Sequence, residues 1–128
     1  MNPATRLLAV AASPEQAARA RADGADLIDV RGTTPGALAS IRASLPAAVL
    51  WSGPAGTGTA TSTGQAEPFD ADRLASTPAA VAAAAAIGTW LGLPVIRSRH
   101  TRAARRAIDM TLVIAGTRRP ARTLRGLA

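Results

Sequence analysis

The chain has no cysteine, lysine or tyrosine, and only one histidine, one phenylalanine and one asparagine. Without cysteine there are no disulfides, no thiolate metal sites and no thiol nucleophiles. A single histidine rules out a multi-histidine metal centre within one chain. Without lysine, no Walker-type phosphate loop can be completed, however glycine-rich a segment is. With one Phe and two Trp, the chain is poor in the stacking platforms that single-stranded nucleic acid uses. Long hydrophobic runs are also missing. The run at 7–12 is too short for a signal-peptide core or a membrane span. The stretch 78–93 is alanine-dominated and contains two glycines, which reads as a packed helix. These absences describe a cytoplasmic protein with no membrane partner, no cofactor and no metal.

What is present bounds the rest. A length of 128 residues suits one domain with a single core. Apolar residues make up 48% of the chain, chiefly alanine, so the core buries little area per residue. That predicts modest stability alone, or help from a second subunit. All 15 basic residues are arginine, against 8 acidic residues, for a net charge of +7. The bias toward Ala, Arg, Gly and Pro is that of GC-rich coding sequence, which weakens charge as a pointer to nucleic acid. The distribution is more telling, because nine arginines lie between Arg97 and Arg125.

The pattern along the chain is alternating strands and helices. Residues 7–11 form an uninterrupted apolar run, as in a strand buried on both faces. Ser13, Pro14 and Gln16 make a helix start, and a helix over 15–22 turns Ala17, Ala18, Ala20 and Ala22 inward. Gly24 ends it, and 25–30 reads as a second strand, completing a right-handed βαβ unit. A helix over 36–45 and a strand over 47–51 repeat the unit. The Gly/Ser/Thr-rich stretch 52–66 then reads as a linker, and Asp70 and Asp72 as surface-loop carboxylates with only Glu67 nearby. Thr77 and Pro78 open a helix to Leu91 that is small or apolar almost throughout and should pack on two sides. A fourth strand at 93–97 leads into a helix over 101–116. Its inward stripe is Ala104, Ile108, Leu112 and Ala115, with Arg102, Arg105, Arg106 and Asp109 outward. Residues 1–116 thus form one α/β domain of about four parallel strands, and 117–128 an Arg-rich tail.

Two segments resemble the pterin-binding, dihydropteroate synthase-like family of (β/α)8 barrels. Residues 24–36, Gly-Ala-Asp-Leu-Ile-Asp-Val-Arg-Gly-Thr-Thr-Pro-Gly, are similar to that family's second strand and loop. Residues 78–110, an alanine-rich helix, Val-Ile-Arg, and a helix containing Ala-Ile-Asp-Met, are similar to its last strand and flanking helices. The likeness covers roughly 5–36 and 78–116, about half the chain. It implies that Arg97 is the arginine that binds the anionic group of the pterin substrate. Arg99 stands where the family has a histidine, with His100 displaced by one. Thr33 and Thr34 occupy the family's flexible second loop. The middle strands, the lysine and the pocket asparagine of the family are missing, since the one asparagine is Asn2. The resemblance therefore implies an internally shortened barrel relative without dihydropteroate synthesis.

The residues alone lead to a similar place. Arg97 and Arg99 are planar, permanently charged forks suited to phosphate or carboxylate. The backbone N–H groups that open the Thr101 helix add donors at the carboxyl end of the sheet. Asp29 either accepts a hydrogen bond from a ligand or orients Arg97. His100 reads as a turn or capping residue more readily than as an acid–base group. No Ser-His-Asp order and no glycosidase-like carboxylate pair can be assigned. The expected function is non-catalytic binding of a small anionic ligand of pterin or phosphate type, with Arg97, Arg99, His100, Asp29, Thr33 and Thr34 as binding residues. The expected partner is a second copy or a full-length relative, since four strands leave edges to cover. A two-fold dimer restoring an eight-stranded barrel is one cover, and an open three-layer sandwich is another. The rival readings are an enzyme whose pocket dimerisation completes, and an Arg-rich module for nucleic acid or an acidic protein.

Overall fold

A computed structural model describes residues 5–52 and 67–119. The glycine-rich stretch 53–66 and the last part of the Arg-rich tail, 120–128, lie outside the described residues. The elements in chain order are β1 (Arg6–Val10), α1 (Pro14–Ala22), β2 (Leu27–Asp29), α2 (Pro35–Ser44), β3 (Leu50–Trp51), β4 (Phe69–Asp70), α3 (Pro78–Trp90), β5 (Val95–Ser98) and α4 (Thr101–Ile114). A single 3-10 turn, Ala71–Arg73, follows β4. All strand pairings are parallel, in the order β3-β2-β1-β5-β4.

The sheet has five strands among the described residues, where the sequence pattern gives four. The extra one is β4, inside the stretch read as a surface loop. Phe69 pairs with Ile96 and Asp70 with Arg97, so β5 is an inner strand. Two copies of the described sheet would bring ten strands together rather than eight.

Residues paired across a parallel ladder share a face, and successive residues alternate faces. One face carries Leu7, Ala9, Ile28, Leu50 and Ile96. Ala9, Ile28 and Leu50 pack with Ala17 and Ala20 of α1 and Ile41 of α2. Leu7 and Ile96 pack with Val81, Ala84 and Ala85 of α3 and Ala104, Ile108 and Leu112 of α4. All four helices thus cover the same face. The cause is topological for three of them: β1→β2, β2→β3 and β4→β5 each step one place in the same direction, and right-handed crossovers then put α1, α2 and α3 on one side, where α4 packs beside α3. A three-layer sandwich, with helices on both faces, is not what the described residues form. The opposite face holds Leu8, Leu27, Val95 and Trp51, a buried cluster that draws no residue from any helix.

Local signals explain the helices. Ser13, Thr34 and Thr77 each accept a hydrogen bond from the backbone N–H three residues on, with proline in the first turn. Gly24 ends α1 at φ 101°, a left-handed backbone that side-chain-bearing residues rarely adopt.

Three details differ from the sequence pattern. On α1 only Ala17 and Ala20 are buried, because a 3.6-residue period cannot also bring Ala18 and Ala22 to the sheet. On α4, Ala115 is exposed past the last turn. Arg105 does not face outward. Its stem lies under Gly24, and its head bonds Asp26 at 2.9 Å and Asp109 at 2.6 Å. Among the described residues, no helix is long and apolar enough to cross a membrane.

Candidate functional site

The face that the described helices leave uncovered becomes charged at its carboxyl edge. Period-two alternation puts Asp29 at the end of β2, Trp51 at the end of β3, Asp70 at the end of β4 and Arg97 near the end of β5 on that face. The Arg97 guanidinium lies between two carboxylates. Its Nε donates to Asp29 Oδ2 at 2.8 Å, and its terminal nitrogen to Asp70 Oδ2 at 2.9 Å. The Arg97 side chain is 18% exposed and that of Asp29 only 2%.

Arg31, two residues after Asp29, grips the same carboxylate. Its amide and Nε donate to Asp29 Oδ1 at 3.0 and 3.3 Å, and a terminal nitrogen donates to Oδ2 at 3.1 Å. The other terminal nitrogen reaches Glu67 at 3.1 Å. The guanidinium carbon sits 4.2 Å from the centre of the Trp51 ring, a cation–π contact. Asp29 therefore accepts four hydrogen bonds from two arginines. Burial pushes its carboxyl up, but hydrogen bonds from the Arg31 and Arg97 side chains and the Arg31 amide outweigh burial and hold it below the ordinary carboxylate value. Arg31 is correspondingly raised, first by its hydrogen bond to Asp29.

A cleft of about 440 Å³ opens beside this cluster, lined by Arg31, Glu67, Phe69, Asp70, Arg73 and Arg97 among others. Arg73 stands at its rim, exposed, with Nε 3.9 Å from Asp70. Three arginines face three carboxylates, counting Asp29 beneath. The site is balanced in charge, and its cations are held in place by carboxylates of very different exposure. Asp29 is fixed, whereas the Glu67 side chain is 64% exposed and free to leave Arg31.

Of the residues singled out in the sequence, Arg97 and Asp29 are brought together. Arg99 is not with them. β5 stops at Ser98, where Asp72 bends the chain by accepting from Ser98 Oγ and from the Arg99 amide, both at 2.8 Å. Arg99 then faces a different cleft, of about 430 Å³, near Arg19, Asp23 and Thr101. His100 occupies the N-cap position of α4 without a side-chain capping bond, and its amide donates to Ser98 Oγ at 2.9 Å. Thr33 Oγ1 donates to the Ala11 carbonyl at 3.1 Å, and Thr34 caps α2. Both threonine hydroxyls are engaged with backbone groups.

Sequence reasoning missed Arg31, Trp51, Glu67 and Asp70. Asp29 and Arg31 share a strand end, and their i, i+2 spacing was a usable signal. Nothing local marks Asp70, which joins the site only through pairing of β4 with β5. Among the described residues, no cluster of three or more His, Cys, Asp or Glu side chains could hold a metal ion. No family model, no curated protein and no solved structure matches this chain.

Proposed function

We propose that the protein is a non-catalytic, pterin-binding-like domain that takes a small ligand with an anionic group at the carboxyl edge of its sheet, with Arg97 and Arg31 as the recognising cations. The observation that carries this reading is Arg97, pinned between Asp29 and Asp70 while lining a cleft of about 440 Å³. A pinned guanidinium loses little further freedom when it binds a planar anion, and carboxyl edges are where α/β sheets hold ligands.

The strand order supports the barrel relationship. Read as β4-β5-β1-β2-β3, with the four described helices on one face, the strand order is the one that a contiguous arc of a (β/α)8 barrel would have. The arc comprises three leading and two closing strands, which suits an internally shortened relative of the dihydropteroate synthase-like family. The face that the described helices leave uncovered is then the inner wall, and the Asp29–Arg97–Asp70 cluster stands at the mouth.

Charge balance defines how a ligand enters. Its anionic group displaces the exposed Glu67 from Arg31 and shares Arg97 and Arg73, while Asp29 stays as the fixed counter-charge. Asp29 is a poor general base, because its carboxylate is saturated with donors and its pKa is depressed. The saturation of Asp29 supports binding without turnover.

The test is ligand-dependent melting with inorganic phosphate, pyrophosphate and a pterin carboxylate, for the wild type, Arg97→Met and Arg31→Met. One of these ligands should raise the melting temperature saturably, by about 2.7 kcal/mol of stabilisation at a hundred times its dissociation constant. Both variants should lose the response. Equal, small shifts with every ligand, or an undiminished response in Arg97→Met, refute the reading.

A further inference from the structure

Seven large hydrophobic side chains are exposed among the described residues, and five of them, Ile87, Trp90, Leu91, Met110 and Ile114, belong to one end of the α3–α4 pair. Each is between 61% and 70% exposed. We infer that this face is a two-fold interface between two copies of the chain, independent of the ligand site.

Area supports a protein partner. Five large side chains at these exposures leave roughly 600 Å² of apolar surface. Exposed Ala83 and Ala79, one and two turns back from Ile87 along α3, extend it. The total approaches the ~800 Å² that each partner contributes to a standard interface. A face of this size is at the upper limit of what single folded chains leave in water.

Charge leaves this face open to a second copy. The chain carries a net +7, so two copies repel wherever arginines meet. From Leu74 to Ile96 there is no charged residue, and α3 presents only small and apolar side chains. On the α3 side of the patch two such cations can touch without confronting arginine, while on α4 the exposed Arg106 lies one turn before Met110. Shape is compatible. Trp90 forms part of the wall of an open groove of about 300 Å³, together with Ala86, Ile87, Leu91, Thr111 and Ile114. An isologous contact through this patch sets the two grooves, each with its Trp90, against one another. The alanines of α3 let the two helices approach closely.

The test is sedimentation equilibrium of the full chain from nanomolar to 100 µM, read together with tryptophan emission. The expected mass is two chains at high concentration, with a red shift on dilution. That shift arises from Trp90, because Trp51 is already buried within one chain. Trp90→Asp and Ile114→Asp, on different helices, should each weaken association about 30-fold or more and leave the melting of the single chain intact. A mass of one chain at 100 µM overturns the inference. So does a dimer unaffected by both variants, or association that continues past two chains.

Discussion

Asp29→Asn is the sharpest probe of the charged edge. The substitution keeps size and shape but removes the charge that two arginines share, and it turns an NH2 group toward guanidinium donors. Removing one partner of a buried ion pair costs about 3–5 kcal/mol when the other is stranded. Stranding is incomplete here, since Arg97 keeps Asp70 and Arg31 keeps Glu67. A loss of about 2–3 kcal/mol at pH 7 follows, or about 6–15 °C in melting temperature for a domain of this size. The pH dependence makes the argument specific. Asp29 is depressed below its unfolded value of about 3.9, so its stabilisation is complete above roughly pH 5 and fades as pH falls through the folded value. The gap between wild type and Asp29→Asn, measured by urea unfolding at several pH values, should therefore close in acid. A gap below about 0.5 kcal/mol at pH 7, or one that stays constant down to pH 2, would show that Asp29 is not the anchor.

Two further outcomes test the supports of the site. A Cβ at Gly24 would lie 2.6 Å from Arg105 Cγ, at a φ of 101°, so Gly24→Ala should cost about 2–4 kcal/mol by overlap and backbone strain. Adding Arg105→Ala should recover the overlap but not the strain, and a double-mutant cycle in urea measures the split. Ser98→Ala removes a hydroxyl that donates to Asp72 and accepts from the His100 amide, and should lower stability by about 1–3 kcal/mol. Hydrogen exchange at His100 should quicken in that variant. Unchanged exchange would mean that the turn after β5 is held by other contacts.

Much of the architecture was legible locally. Three of the four helix starts carry Ser or Thr before proline, and those side chains make the capping bonds in the structure. The apolar run of β1 is a strand buried on both faces, with Leu7, Leu8 and Ala9 fully covered. The parallel arrangement followed from the alternation of elements. The pairing of Arg97 with Asp29 was one of the options visible in the residues, because both stand at the carboxyl ends of strands.

By itself, then, the sequence determined the helices, the parallel βαβ frame and the absence of thiol, lysine and multi-histidine chemistry. Those properties depend on residue type and on contacts within one or two turns. The tertiary structure decided the rest. β4 is two residues long, Phe69–Asp70, too short for any periodic signal, and it exists as a strand through pairing with β5. That pairing sets Asp70 against Arg97, splits Arg97 from Arg99 at the Asp72-bound turn, and leaves β5 inside the sheet. Likewise, the outer face of α3 became an exposed apolar surface only once its inner face had met α4 and β5. Register and partner choice between distant segments fix which charges meet, and neither is encoded in the residues of one segment.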